Sequence, residues 1–239
     1  MVEVHIWRIE FVGCATIKVT MDFYHVLNRG VDKRDVVMND DDRQRFVRGL
    51  YLFNDRNAAP NAISQIPLMN SKERKRDLLV RLHAWCLMNN HYHLLLSPLD
   101  DDPENVSLFM KKLNMGYAKF FNEKYTRSGA LWQGKYKKIL IERDAQFQYM
   151  PFYIHLNPLD YNFPEWRKGG VKKVRAALDW LAKWKWSSNL DYGGSKNYPS
   201  LIDTRILQGV LGSKAQQEAS IRKIITDEVK AGGSFILER

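Results

Sequence analysis

At 239 residues, 45% of them hydrophobic and 12% aromatic, the chain is long and apolar enough to bury a core, which excludes a disordered polyelectrolyte. Its 37 Lys and Arg against 27 Asp and Glu leave a net charge of +10, so the expected partner is a polyanion, with nucleic acid ahead of an acidic membrane surface. Cys14 and Cys86 lie far apart without Cys-x-x-Cys spacing, and no apolar run approaches the roughly 18 residues of a membrane span. Neither a disulfide framework nor a zinc knuckle is indicated on these grounds, and no membrane-spanning segment or membrane partner is expected. Residues 1–20 carry Glu3, Arg8, Glu10 and Lys18 where a signal peptide needs an apolar centre, so a cytoplasmic location is expected.

Taken in order, residues 5–27 hold two apolar stretches, the second with the β-branched alternation of a strand that ends at the turn signal Asn28-Arg29-Gly30. Asp40-Asp41-Asp42 offer N-caps for a helix whose apolar positions include Phe46, Val47 and Leu50. Residues 57–77 lose all periodicity and read as a long loop able to touch a substrate backbone. The stretch 82–98, LHAWCLMNNHYHLLLSP, then reads as a β-hairpin turning at Asn89-Asn90, because Asn tolerates the positive φ of a tight turn. Residues i and i+2 of a strand share a face, so His91 and His93 project together with Tyr92 behind them, a two-pronged grip for a metal ion.

Asp100-Asp101-Asp102-Pro103 starts a long amphipathic helix. Between 111 and 138 eight basic residues face the single acid Glu123, among them Lys111, Lys112, Lys119, Arg127, Lys135 and Lys137. Trp132 and Tyr136 are interleaved. Cations neutralise phosphates and aromatic faces stack on unpaired bases, so the segment suits single-stranded or distorted DNA, with Arg29 at the end of the first strand as a further contact. Residues 134–142 alternate as another strand, with Lys135 and Lys137 outward. Asp144 is placed to cap a helix that ends before Pro158, on which Tyr149, Tyr153 and Asn157 fall at steps of four. PEWRKGG reads as a linker, followed by helices over about 171–184, 202–211 and 216–229.

Two strand histidines, a basic aromatic segment and a helix presenting Tyr and Asn are the parts needed for a tyrosine to attack a DNA phosphodiester beside a divalent ion. At these residues the chain resembles the REP-associated tyrosine transposases of the HUH single-tyrosine class. His91-Tyr92-His93 is similar to their HUH motif and YIHLNP at 153–158 to their tyrosine-helix signature; YHVLNRG at 24–30, CLMNNHYHLLL at 86–96, GALWQGKYK at 129–137 and Trp186-Ser187-Ser188 resemble further blocks in the same order. The resemblance covers about residues 7–192. It implies an α+β, ferredoxin-like antiparallel sheet over 1–164 with a helical extension over 165–239. It also implies Tyr153 as nucleophile, His91, His93 and Asn157 as ligands of Mg²⁺ or Mn²⁺, and single-stranded DNA cut at hairpins through a 5′-phosphotyrosine. A monomer is weakly favoured over a dimer.

Four departures bear on those expectations, the first being an entry region at 14–22 that is extended relative to typical members. Pro151 sits inside the tyrosine helix and threatens a kink; Tyr149 is a rival nucleophile; the region 57–77 is long. Two other readings compete: a domesticated hairpin-binding protein that no longer cuts, and a two-histidine phosphoesterase that uses water and survives Tyr153→Phe.

Overall fold

The structure, a computed structural model, describes residues 21–58 and 76–227. The predicted loop at 57–77 therefore falls largely outside the described residues, as does the whole of the first apolar stretch. The elements run β1 (Tyr24–Arg29), α1 (Asp40–Leu52), β2 (Val80–Leu87), β3 (His91–Pro98), α2 (Pro103–Lys124), β4 (Lys137–Leu140) and α3 (Asp144–Leu156). The four strands form one sheet in the order β2-β3-β1-β4, every pair antiparallel, which is the βαββαβ ferredoxin-like arrangement expected.

Strand alternation divides the sheet into two faces. Val26, Trp85, Leu87, Tyr92, Leu94 and Leu96 point to one face, where Phe46 and Leu50 of α1 and Phe109, Leu113 and Tyr117 of α2 complete a core. Ala84, Cys86 and Leu95 point to the other, against Ile154 and Leu156 of α3. That second core continues into the C-terminal helices α4 (Val174–Lys183), α5 (Asn189–Tyr192), α6 (Leu207–Leu211) and α7 (Lys214–Thr226), through Ala177, Leu181, Ile221 and Ile225. α3 is thus covered on both sides, which explains why its sequence is apolar around most of its circumference.

Local chemistry sets the element ends. The N-cap of α1 is Asn39 rather than one of the three aspartates, and it forms a reciprocal capping box with Asp42. Asp102 caps α2, with Pro103 in its first turn. Asp144 is the first residue of α3 and not its cap, which is Arg143 without a side-chain bond. The helix runs through Pro151 without interruption.

The hairpin turn departs from the reason given for it. Among the described residues Asn89 and Asn90 have no positive φ. They are held instead by hydrogen bonds: Asn89 Oδ1 accepts from Arg43 at 2.7 Å, and Asn90 Nδ2 donates to the Lys33 carbonyl at 3.1 Å. The Trp-Ser-Ser block is a seam between the extension and the edge of the sheet. Ser187 bridges to Cys86, Ser188 N donates to the Trp85 carbonyl, and Trp85 N donates to Ser188 Oγ at 3.0 Å.

Candidate active site

The β1–β3 register pairs Leu27 with His93 and Arg29 with His91, so the two histidines share the face that α3 covers, as their spacing predicts. A third histidine joins them. His25 lies two residues before Leu27, diagonal to His93, with the two rings stacked at 16° and His25 Nε2 2.9 Å from His93 Nδ1. The His91 and His93 rings are 5.0 Å apart and perpendicular.

These contacts fix which nitrogens face inward. His91 Nδ1 is 2.6 Å from Asn90 Oδ1, an acceptor only, so Nδ1 carries the hydrogen and Nε2 the lone pair. In His93 the bond from Nδ1 to His25 does the same when Nδ1 donates. A ring whose Nδ1 is tied to a neighbour and whose Nε2 has a lone pair is the usual form of a histidine metal ligand. The donor set therefore fits a cation at His91 and His93. Among the described residues no group of three or more His, Cys, Asp or Glu side chains is spaced to hold a metal, so the remaining ligands of any such ion are neutral side chains, water or phosphate. Two imidazoles with oxygen ligands suit Mg²⁺ or Mn²⁺ better than a wholly nitrogen or sulfur site would.

α3 brings Tyr153 onto this cluster. Its ring meets His93 edge-on at 5.5 Å and His25 at 5.9 Å, whereas Tyr149 has its ring contact to Tyr153 at 6.4 Å one turn earlier. Tyr153 is 4% exposed, and His93 and His25 are fully buried. Burial pushes the Tyr149 hydroxyl pKa up, which disfavours it as a phenolate.

Asn157 sits one turn after Tyr153, fully buried. Its Nδ2 donates to the Tyr153 carbonyl at 2.7 Å and its Oδ1 accepts from Arg167 Nη2 at 3.2 Å. The oxygen expected to ligate a metal is thus engaged by a guanidinium here. Arg167 comes from PEWRKGG, which is no linker: Pro164–Lys168 forms a 3-10 turn with Trp166 buried against the Tyr153 ring at 6.3 Å. Neither His25 nor Arg167 was singled out in the sequence. His25 carried a signal, its place two residues before the pairing position in an alternating strand; Arg167 carried none, because its contact depends on how the chain folds back.

The predicted DNA contacts separate into two groups. Arg29, Lys135 and Lys137 line a cavity of about 170 Å³ with Leu27, Asn28 and Gln133. Register places Arg29 and Lys137 on the histidine face, at the β4 side of the sheet. Lys135 also borders an adjoining apolar groove of about 610 Å³, where Lys111, Trp132 and Tyr136 lie beside Met110 and Met115. The others have local duties. Lys112 Nζ donates to the carbonyls of Asp55, Arg56 and Ala58 at 2.8 to 3.1 Å, Lys119 pairs with Glu123 at 3.7 Å, and Arg127 bonds Asn122 at 3.2 Å beside Phe121. Trp132 is 8% exposed and donates from Nε1 to the Asn114 carbonyl, so little of its face is open to a base.

The family described as IS200-like transposases matches residues 61–157, a stretch that contains both strand histidines and the tyrosine helix. Among solved structures, a REP-associated tyrosine transposase bound to a REP hairpin aligns with 85% of this chain and 93% of its own at 13% identity and a TM-score of 0.43. A Deinococcus radiodurans R1 protein provisionally called a transposase aligns with 56% and 90% at 16% identity and a TM-score of 0.34. No curated protein matches in sequence. Among the described residues no helix is long and apolar enough to cross a membrane.

Proposed function

We propose that this chain, which carries the IS200-like transposase signature over residues 61–157, is a metal-dependent single-strand DNA endonuclease and strand transferase that cuts at hairpins. The observation that carries the reading is the edge-on approach of one tyrosine, Tyr153, to buried His93, which shares its sheet face with His91 and whose Nδ1 lies 2.9 Å from His25. In this reading Tyr153 Oη attacks the scissile phosphorus, the bond from phosphorus to O3′ breaks, and the phenolic proton ends on the departing 3′ hydroxyl. The bond energy is kept in a 5′-phosphotyrosine, so strands rejoin without ATP. His91 and His93 would hold Mg²⁺ or Mn²⁺, which when bound polarises a phosphate oxygen. Asn157 would join them through the lone pair of Oδ1 that the bond from Arg167 leaves. In this reading Arg29, Lys135 and Lys137, which line one cavity, offset backbone phosphates of the bound strand.

One observation favours the competing reading of a protein that binds hairpins without cutting. Tyr153 is almost fully buried and Asn157 is already engaged, so DNA has to displace part of this packing. A denaturing gel separates the two. Labelled hairpin DNA is incubated in Mn²⁺ with wild type, Tyr153→Phe and Tyr149→Phe protein. A covalent band in wild type and Tyr149→Phe, lost in Tyr153→Phe and with chelator, is the expected result; binding without any band would favour the non-cutting reading. Cleavage by Tyr153→Phe would assign the chemistry to Tyr149 or to water.

A further inference from the structure

We infer that Arg167, contributed by the segment after the tyrosine helix and outside the residues matched by the family, is a positioning residue for the Tyr153 nucleophile; this rests on the proposed reading of Tyr153. The guanidinium carbon lies 5.5 Å from the Tyr153 ring centroid and 4.9 Å from that of Trp166. Asp160 fixes the fork from behind: Nε donates to Oδ1 at 2.9 Å and Nη2 to Oδ2 at 2.6 Å. Nη2 also reaches Asn157 Oδ1. A further hydrogen bond of the fork goes to the Tyr153 hydroxyl, and a guanidinium stays charged at any physiological pH.

The consequence follows from donor chemistry. An arginine has five N–H donors and no acceptor, so in its bond with Tyr153 the phenolic oxygen accepts. The hydroxyl hydrogen is then turned away from Arg167, and the oxygen is held at a fixed place beside a permanent cation. The same cation lies beside the phosphoryl oxygens once Oη is bonded to phosphorus. A guanidinium that only closed a surface ion pair with Asp160 would need neither the ring of Tyr153 nor the Asn157 oxygen. Its rigidity matters, because a nucleophile misplaced by about 1 Å loses on the order of a hundredfold in rate.

The test compares wild type, Arg167→Lys and Arg167→Ala in three measurements: hairpin affinity by fluorescence anisotropy, thermal melting, and the single-turnover rate of covalent adduct formation at saturating DNA. Arg167→Ala is expected to lower that rate about a hundredfold with hairpin affinity within about threefold of wild type. Millimolar guanidinium ion should recover at least tenfold of the loss in Arg167→Ala and leave wild type unchanged, which a purely structural role does not produce. Arg167→Lys, which keeps the charge but loses the fork, should fall between the two and covers the case in which the alanine variant misfolds. A rate for Arg167→Lys within threefold of wild type, or affinity and rate falling in parallel without guanidinium rescue, would overturn the assignment while leaving Tyr153 as nucleophile. A wild-type protein that forms no adduct on any hairpin would overturn the proposed function and this inference together.

Discussion

His25 Nε2 and His93 Nδ1 face each other at 2.9 Å across neighbouring strands, in a layer sealed by the Tyr153 ring. When His93 Nδ1 donates to it, His25 sets the tautomer and tilt of a histidine expected to bind metal. Its replacement by Ala should weaken Mn²⁺ binding by about 10- to 100-fold, the usual cost of removing such a partner. Titration calorimetry with Mn²⁺ on the DNA-free protein reads this directly, and an unchanged affinity would make His25 a packing residue only.

Lys112 and the pair Lys135 and Lys137 should behave oppositely although all three are basic. Replacing Lys135 and Lys137 by Ala should weaken DNA binding and reduce the dependence of log affinity on log salt by roughly one unit per lost phosphate contact. Lys112→Met should leave that slope unchanged and instead lower stability by about 1–3 kcal/mol, because three carbonyls lose their donor. Urea melts and affinities across a salt series distinguish these outcomes; a slope altered by Lys112→Met would return it to the DNA surface.

Acid should destabilise the fold through two buried neutral histidines. Burial pushes the His83 pKa from 6.5 down to about 4 and that of His155 down to about 3. Each ring is hydrogen-bonded to a serine, His83 to Ser97 at 2.9 Å and His155 to Ser188 at 2.8 Å. Because the folded pKa values are depressed, the unfolded chain binds more protons between the two limits. Stability is kept above pH 6.5 and falls as pH drops from there toward about 4 and 3, by at most about 1.4 kcal/mol per pH unit for each histidine. His155→Gln should flatten the pH dependence of the urea midpoint; an unaltered profile would remove His155 from the account.

Gly116 tests the packing of α2 on α1. A Cβ there would overlap the ring of Phe53, itself 1% exposed and unable to swing aside. Gly116→Ala should cost about 1–3 kcal/mol despite the better helix propensity of alanine. A more stable variant in a urea melt would mean that the ring relocates.

Much of this architecture was legible because it is written in local periodicity. The period-2 alternation of 82–98 places His91 and His93 on one face and Tyr92 on the other, and the steps of four on α3 align Tyr153 with Asn157, whatever the rest of the chain does. The starts of α1, α2, α3 and α7 were legible to within a residue or two, whereas α4 begins at Val174 and α6 at Leu207 rather than at about 171 and 202. Asn39 displaced the aspartates as cap because its side chain and that of Asp42 satisfy each other's backbone groups, a reciprocity that residue type alone does not reveal.

What the sequence by itself determined was the existence of the four strands and of every helix but the short α5, the basic surplus of 111–138, and which side chains share a face of their own element. Only the tertiary structure decided which elements meet. The antiparallel register of β1 with β3 brought His25 to His93, separated by 68 residues, and the fold-back after Pro158 brought Arg167 under Tyr153. The same packing turned Lys112 from a phosphate contact into a tie on three carbonyls. The physical reason is that periodicity fixes direction within an element, whereas contacts between elements are chosen by burying two sheet faces at once, and no single stretch of sequence carries that choice.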